Sequence, residues 1–289
     1  MTTNIMTRTS TKNGGLYMMK AILFLCLFFT ANAMSEPIAS DASPSAEKVI
    51  ICLDSETEWP PYSYHPLGED GEVDSSRHVG ASVDLIEKVF SVIDIDFEVR
   101  QMPWPRVLAA LKGIDGTELC EVTWDTSVNE ERLSWLMFTE PIYKIHSGGF
   151  YNKEKLPDLD SFWGLAQLFS YNMCGIRGYD YSPIDGLLST LVAREQQALD
   201  LVALGRCDIF VSTIEPIVYG AKLGLYKMDE NTVHLIGKGF DRIMHAAVSK
   251  ASPRAKELHN KISNVLGQLR KSGEIERIFV KYLPSGTGF

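Results

Sequence analysis

Apolar positions along this chain recur with two periods, one of strands and one of helices. The stretch "KVIICL" (48–53) is an almost unbroken apolar run, as a strand covered on both faces reads. In "SVDLIEKVFSVI", Leu85, Ile86, Val89, Phe90 and Ile93 share one helical face, with Ser82 placed to cap the first turn. "DFEVRQ" then alternates Phe97 and Val99 with charged neighbours, the pattern of a half-exposed strand. "PRVLAALKG" predicts a short helix with Pro105 in its first turn and Gly113 at its stop, and the apolar-centred "TELCEVTW" predicts a third strand. Strand, helix, strand, helix, strand calls for parallel strands with helices on the faces.

A second unit of this kind is predicted to begin at "YNMCGI" (171–176), with a helix from about Ile184 to Ala203 and a strand "CDIFVS" at 207–212. Between the units, "IYKIHSGGFYNKEKLPD" has little periodicity and reads as a crossover between two similar lobes. The last segment predicts a helix capped by Ser252, with Pro253 first and Leu258, Ile262, Val265, Leu266 and Leu269 as its buried stripe. Gly273 breaks it, and a shorter helix carries Ile275, Ile278 and Phe279.

The N-terminal region changes the picture of where the chain works. "MMKAILFLCLFFTANA" has one base, Lys20, a short apolar core and the small-x-small ending Ala31-Asn32-Ala33, so residues 1–33 read as a signal peptide region with Met18 or Met19 as the expected start. The apolar core is shorter than the roughly 20 residues that a permanent membrane helix needs. Residues 34–47 are expected to be a polar, flexible lead-in. Removing 1–33 leaves 25 bases against 37 acids, a net charge of −12, which disfavours nucleic acid and anionic lipid as partners. Hydrophobic residues make up 45% of the chain, enough for folded lobes.

Catalytic and metal signatures are missing. The six histidines (65, 78, 146, 234, 245 and 259) never sit four apart, and no GxSxG, GxxxxGK[ST] or GxGxxG stretch occurs. No metal and no cofactor are expected. What remains is a set of polar and aromatic loops just after strand ends: "DSETEWPPYSY", "MPWPR", "TWDTSVNEER" and "RGYDYS". Ligands of open α/β sheets bind outside the carboxyl ends of strands, so these loops predict one shared cleft. Cys52 and Cys120, and Cys174 and Cys207, each place one cysteine on an opening strand and one near the start of a strand that follows a helical crossover. Such strands are often neighbours, so two disulfides within lobes are expected in an exported chain, with free packed thiols the alternative.

In order along the chain, "WPPYSY" (59–64), "GASVDLIEKVF" (80–90), "MPWPRVLAALKG" (102–113), "EERLSWLMFTEPIY" (130–143), "GIRGYDY" (175–181), "LVALGRCDIFV" (201–211) and the segment 252–282 resemble family 3 of the bacterial extracellular solute-binding proteins. The resemblance implies a two-lobed type 2 periplasmic binding protein fold of the α/β class, each lobe a mostly parallel sheet flanked by helices, joined by a hinge. It implies lobe 1 at 48–145, lobe 2 at 146–242, and a return crossover with C-terminal helices packing on lobe 1 at 243–289. It also implies a monomer that binds a small solute in the periplasm and meets an inner-membrane ABC permease transiently. A dehydratase-like enzyme on the same fold and a detached sensory module are the alternatives. An enzyme would draw its acid or base from Glu56, Asp125 or Asp180.

Residue by residue, the resemblance puts Arg132 where the family holds a ligand carboxylate through a two-pronged salt bridge, as a planar guanidinium suits. Thr126 and Ser127 stand beside it as donors, and Glu56 and Trp59 stand at first-lobe positions that hold an ammonium group and a side chain. Gly178 to Tyr181, with Tyr179 and Asp180 among them, are implied to meet the ligand at a helix N-terminus. Trp59, Trp104 and Tyr179 are expected as aromatic walls. Thr213 stands where the family keeps an ammonium-clamping aspartate. Unless Glu56, Asp180 or Glu215 replaces that clamp, a carboxylate with a neutral or hydroxylated remainder is the expected ligand.

Overall fold

A computed structural model describes residues 48–114, 116, 118–159, 168–182, 184–237 and 241–282. The expected signal peptide (1–33) and lead-in (34–47) lie outside the described residues.

The first sheet starts with β1 (Val49–Asp54), the apolar run expected as a buried strand, and four of its six residues are buried. It pairs in parallel with β2 (Phe97–Met102) on one side and β3 (Val122–Ser127) on the other. Helix α1 (Ala81–Ile93) crosses between β1 and β2, and α2 (Trp104–Leu111) crosses between β2 and β3. The stripe of α1 buries Leu85, Ile86, Val89 and Phe90 as expected, but Ser82 is no cap: Gly80 precedes the helix and Ser82 lies inside its first turn. After α3 (Glu130–Trp135) come two short strands, β4 (Leu136–Phe138) and β5 (Tyr143–Ile145).

The segment expected to cross between the lobes does so between Ile145 and Ser147, and most of it is strand. Buried glycines and small residues let β6 (Ser147–Asn152) run through the middle of the second sheet, buried at all six positions, although its composition shows no strand period. That sheet has the order β10-β6-β9-β7-β8, from β7 (Met173–Ile176), β8 (Leu188–Val192), β9 (Ile209–Thr213) and β10 (Thr232–Ile236). The long helix expected over Ile184–Ala203 is instead a single 3-10 turn at Asp185–Leu187, then β8, then a shorter α4 (Glu195–Ala203). Its β-branched and small residues, "LSTLV", pair with β7 in parallel, so tertiary pairing overrides the helical reading. Helix α5 (Ile214–Lys222) follows β9 directly.

Strand β11 (Arg242–Ser249), not anticipated from periodicity, returns to the first sheet and pairs antiparallel with β3, β4 and β5. The chain thus passes between sheets twice, between Ile145 and Ser147 and between Ile236 and Arg242. Helices α6 (Ala255–Lys271) and α7 (Glu274–Val280) close over the first sheet, and Leu258, Ile262, Val265, Leu266, Ile275 and Phe279 share one core cluster with β1 and α1. Helix α6 begins two residues beyond Pro253. Ser252 does not cap it but donates to buried Glu121 at 2.8 Å, a carboxylate that Arg254 grips at 2.8 and 2.7 Å. Disulfides join Cys52 to Cys120 and Cys174 to Cys207, one inside each sheet layer, with Cα separations of 5.8 and 5.9 Å.

Candidate functional site

The carboxyl ends of β1 and β3 in one lobe face β6, β9 and the loop after β7 in the other, across a cleft of about 1270 Å³, part of it continuous with solvent. Trp59, Trp104, Ser127, Arg132, Tyr179, Asp180 and Thr213 all line it. Thr126 stands just behind Arg132, and Glu56 is not among the lining residues. The cleft carboxylate of that first loop is Asp54. Residues 179–182 follow β7 without entering a helix, so no helix N-terminus meets the cleft there.

Local chemistry sets Arg132 in place. Asn129 caps α3 by accepting from the Arg132 backbone N–H at 2.8 Å, which fixes Arg132 in the first turn. Its guanidinium then folds back: Nη1 donates to the Thr126 hydroxyl (3.1 Å), the Ser127 carbonyl (3.0 Å) and the Ser127 hydroxyl (3.2 Å). Nη2 reaches across the cleft to the Gly178 carbonyl at 3.2 Å, and the Trp104 ring lies 5.8 Å away. Arg132 is only 5% exposed, and burial lowers its pKa, with Asp180 acting in the opposite sense. Among the described residues no acidic side chain lies within ion-pair distance of it. A cleft arginine this deeply buried also supports the fold.

Gly178 is a point of contact between the lobes. Its carbonyl accepts from Trp104 Nε1 at 3.0 Å as well as from Arg132, and its φ of +85° is open mainly to glycine. Around it, Trp59 meets Tyr179 edge-on at 5.8 Å, the Tyr226 hydroxyl donates to the Glu58 carbonyl, and Arg242 pairs with Asp180 at 3.6 Å. Tyr179 donates at 2.6 Å to Glu195, a carboxylate beneath the cleft that burial pushes up to about 8.

Among the described residues three carboxylates line the cleft, and their surroundings differ. Both oxygens of Asp54 are engaged, by the Glu56 N–H (3.0 Å) and the Thr57 hydroxyl (2.5 Å). Asp180 takes the Ser182 N–H at 3.1 Å on one oxygen and Arg242 on the other. Asp125 receives the hydroxyls of Ser82 (2.6 Å) and Tyr143 (3.0 Å), both on Oδ1, and Tyr143 in turn accepts from Trp59 Nε1 at 3.1 Å. Burial pushes the Asp125 carboxyl up to about 6. Its φ is +52°, at a bulge where Trp124 and Asp125 oppose the single residue Ala246, which turns this side chain out of the sheet's alternation. Glu215, beside Thr213 in sequence order, is held by His146 through its backbone N–H and ring.

Sequence reasoning missed Arg242, Asp54 and the pairing of Asp125 with α1. Arg242 opens a strand whose period was not legible, while Asp54 merely ends an apolar run. No signal short of the sheet register would have shown the bulge at Asp125.

A family model for the bacterial extracellular solute-binding proteins, family 3, matches residues 51–285. Comparison with curated proteins gives no match. Among solved structures, a histidine kinase sensor domain with similarity to periplasmic binding proteins superimposes with a TM-score of 0.65 at 22% identity, covering 83% of this chain and 97% of that one. The substrate-binding protein of an amino acid ABC transporter gives 0.61 at 16% identity, over 82% and 99%. An ancestral amino acid-binding protein, a precursor of cyclohexadienyl dehydratase, gives 0.61 at 17% identity, over 82% and 96%. At these identities the solved structures show the shared two-lobed fold alone. The match over residues 51–285 shows more: the chain belongs to family 3 of the bacterial extracellular solute-binding proteins.

Proposed function

We propose that the protein is a periplasmic solute-binding protein that closes lobe 1 (48–145, with the return strand and C-terminal helices from residue 243 to 282 packed on it) and lobe 2 (146–242) around a small, amino-acid-like carboxylate. It then delivers that solute to an ABC permease of the inner membrane. Arg132 carries this reading. A guanidinium buried without an acidic partner is unfavourable, and its contacts in both lobes put the charge where a bound carboxylate would compensate it while holding the lobes together. The ligand stabilises closure because it touches both lobes at once. The similarity to an amino acid transporter's binding protein supports the solute class. Native mass spectrometry of freshly purified protein tests it. A co-purifying small carboxylate that the Arg132→Ala variant does not carry is expected, and a co-purified solute without an acidic group refutes the reading.

Two other readings rest on specific observations. The similarity to a histidine kinase sensor domain suits the same cleft to a sensory module, which a membrane-receptor partner in place of a permease in crosslinking would establish. The similarity to a dehydratase precursor, with the Asp125 carboxyl in the cleft pushed up to about 6 by burial, suits acid–base chemistry on a small carboxylate. Product formed from such a substrate by the purified protein would establish that one.

A further inference from the structure

Among the described residues, internal pairing leaves the cleft with one cation and one anionic oxygen to spare. Arg242 and Asp180 neutralise each other, and Asp54 has a donor on each oxygen. Arg132 has no acidic partner among the described residues. Both hydroxyls that reach Asp125 land on Oδ1, so its Oδ2 has no hydrogen-bond partner there, while the residue remains partly accessible from the cleft it lines. Glu56 stands off the cleft lining, Asp180 is held by Arg242 and Glu215 by His146, so none of the three acids expected to substitute at the Thr213 position is free to do so. Thr213 and Ser212 carry only neutral hydroxyls, which are buried and lack partners among the described residues.

We propose that Asp125 Oδ2 binds a cationic nitrogen of the ligand, so that the solute is a zwitterion, its carboxylate on Arg132 and its ammonium on lobe 1 at Asp125 instead of on lobe 2 at position 213. This rests on the reading of Arg132 given above, and it reverses the expectation drawn from Thr213 that deaminated acids are preferred. An ammonium at Asp125 compensates a carboxylate whose burial otherwise disfavours its charge. The bulge supplies the aim: without the positive φ at Asp125 the side chain would follow the strand's alternation. Ser82 and Tyr143 hold one oxygen and leave the other for the solute.

The test compares amino acids with their deaminated hydroxy and keto acids and their decarboxylated amines, by thermal shift and calorimetry on the full exported chain and on Asp125→Asn. Amino acids should bind at least tenfold more tightly than their deaminated counterparts, and Asp125→Asn should erase that ratio. In the unsubstituted protein, affinity for the amino acid should fall about tenfold from pH 7 to pH 5, as a carboxyl titrating near 6 loses its charge. The titratable groups nearest to Asp125, Tyr143 and Tyr62, stay neutral over that range, and Asp54 is separated from the effect by its persistence in Asp125→Asn. Deaminated acids binding as well as their parents overturn the Asp125 assignment and leave the Arg132 reading standing. Amines that bind as well as amino acids and are lost in Asp125→Asn uphold Asp125 and refute the Arg132 reading.

Discussion

Replacing Gly178 with alanine separates closure of the cleft from stability of the fold. A Cβ there would stand 3.0 Å from Trp104 Cδ1 and 3.6 Å from Leu108 Cδ1 and Pro105 Cγ, all on the opposing lobe. The φ of +85° adds a backbone cost of about 1–2 kcal/mol, borne by lobe 2 whether or not the cleft is closed. Relieving the Trp104 contact requires the lobes to part by a few tenths of an ångström. That lengthens the bonds from Trp104 and Arg132 to the Gly178 carbonyl, now 3.0 and 3.2 Å. Complete loss of the two, at about 0.5–1.5 kcal/mol each, sets the upper bound, so the closed state weakens by up to roughly 3 kcal/mol, or up to about 150-fold in affinity. Gly273, between α6 and α7, provides the control, since its φ is +71° and a Cβ there meets nothing within 4 Å. Gly273→Ala should lower the denaturation midpoint similarly while leaving affinity unchanged in calorimetric titration. Equal affinities for Gly178→Ala and the unsubstituted protein would refute the account of Gly178 as the interlobe contact.

Glu195 gives a pH signature. Its carboxyl, raised from 4.5 to about 8 by burial, holds in the folded state a proton that the unfolded chain releases, so stability should fall as pH rises from about 4.5 to 8. Urea midpoints at pH 5 and pH 8 should show this fall, and Glu195→Gln should flatten it. Each disulfide closes a loop of 68 or 33 residues, and replacing either pair with serine should cost roughly 4 kcal/mol in thermal unfolding. A melting temperature of the unsubstituted protein unmoved by reductant would contradict that. Arg132→Ala should lower stability by about 1–3 kcal/mol even without ligand, since it leaves the buried Ser127 and Thr126 oxygens unpaired. An unchanged midpoint would contradict the account of Arg132 as a residue that supports the fold.

Local signals carried the first lobe well and the second poorly. The βαβαβ half was legible because each of its helices is amphipathic with its own stop, as in α1 and α2, and its strands are short apolar runs bounded by polar loops. In the second lobe, β6 is built on "SGGFYN" and β8 on "LSTLV", whose strand character comes from the neighbours they pair with and not from a period of their own. The resemblance put Arg132 and Trp59 at cleft positions, and both line the cleft. The balance of its charges was not legible. That Asp180 belongs to Arg242 while Asp125 keeps a free oxygen depends on a bulge and on a strand 117 residues further along the chain, from Asp125 to Arg242.

A double-mutant cycle on ligand and protein together tests the central claim most directly. Calorimetry would compare the co-purified carboxylate with its neutral carboxamide analogue, each titrated into the unsubstituted protein and into Arg132→Ala. The account predicts that the carboxamide loses tenfold or more in affinity for the unsubstituted protein and that Arg132→Ala removes most of this difference, the mark of a direct charge-assisted pair. Equal affinity of the carboxylate and the carboxamide for the unsubstituted protein would contradict it.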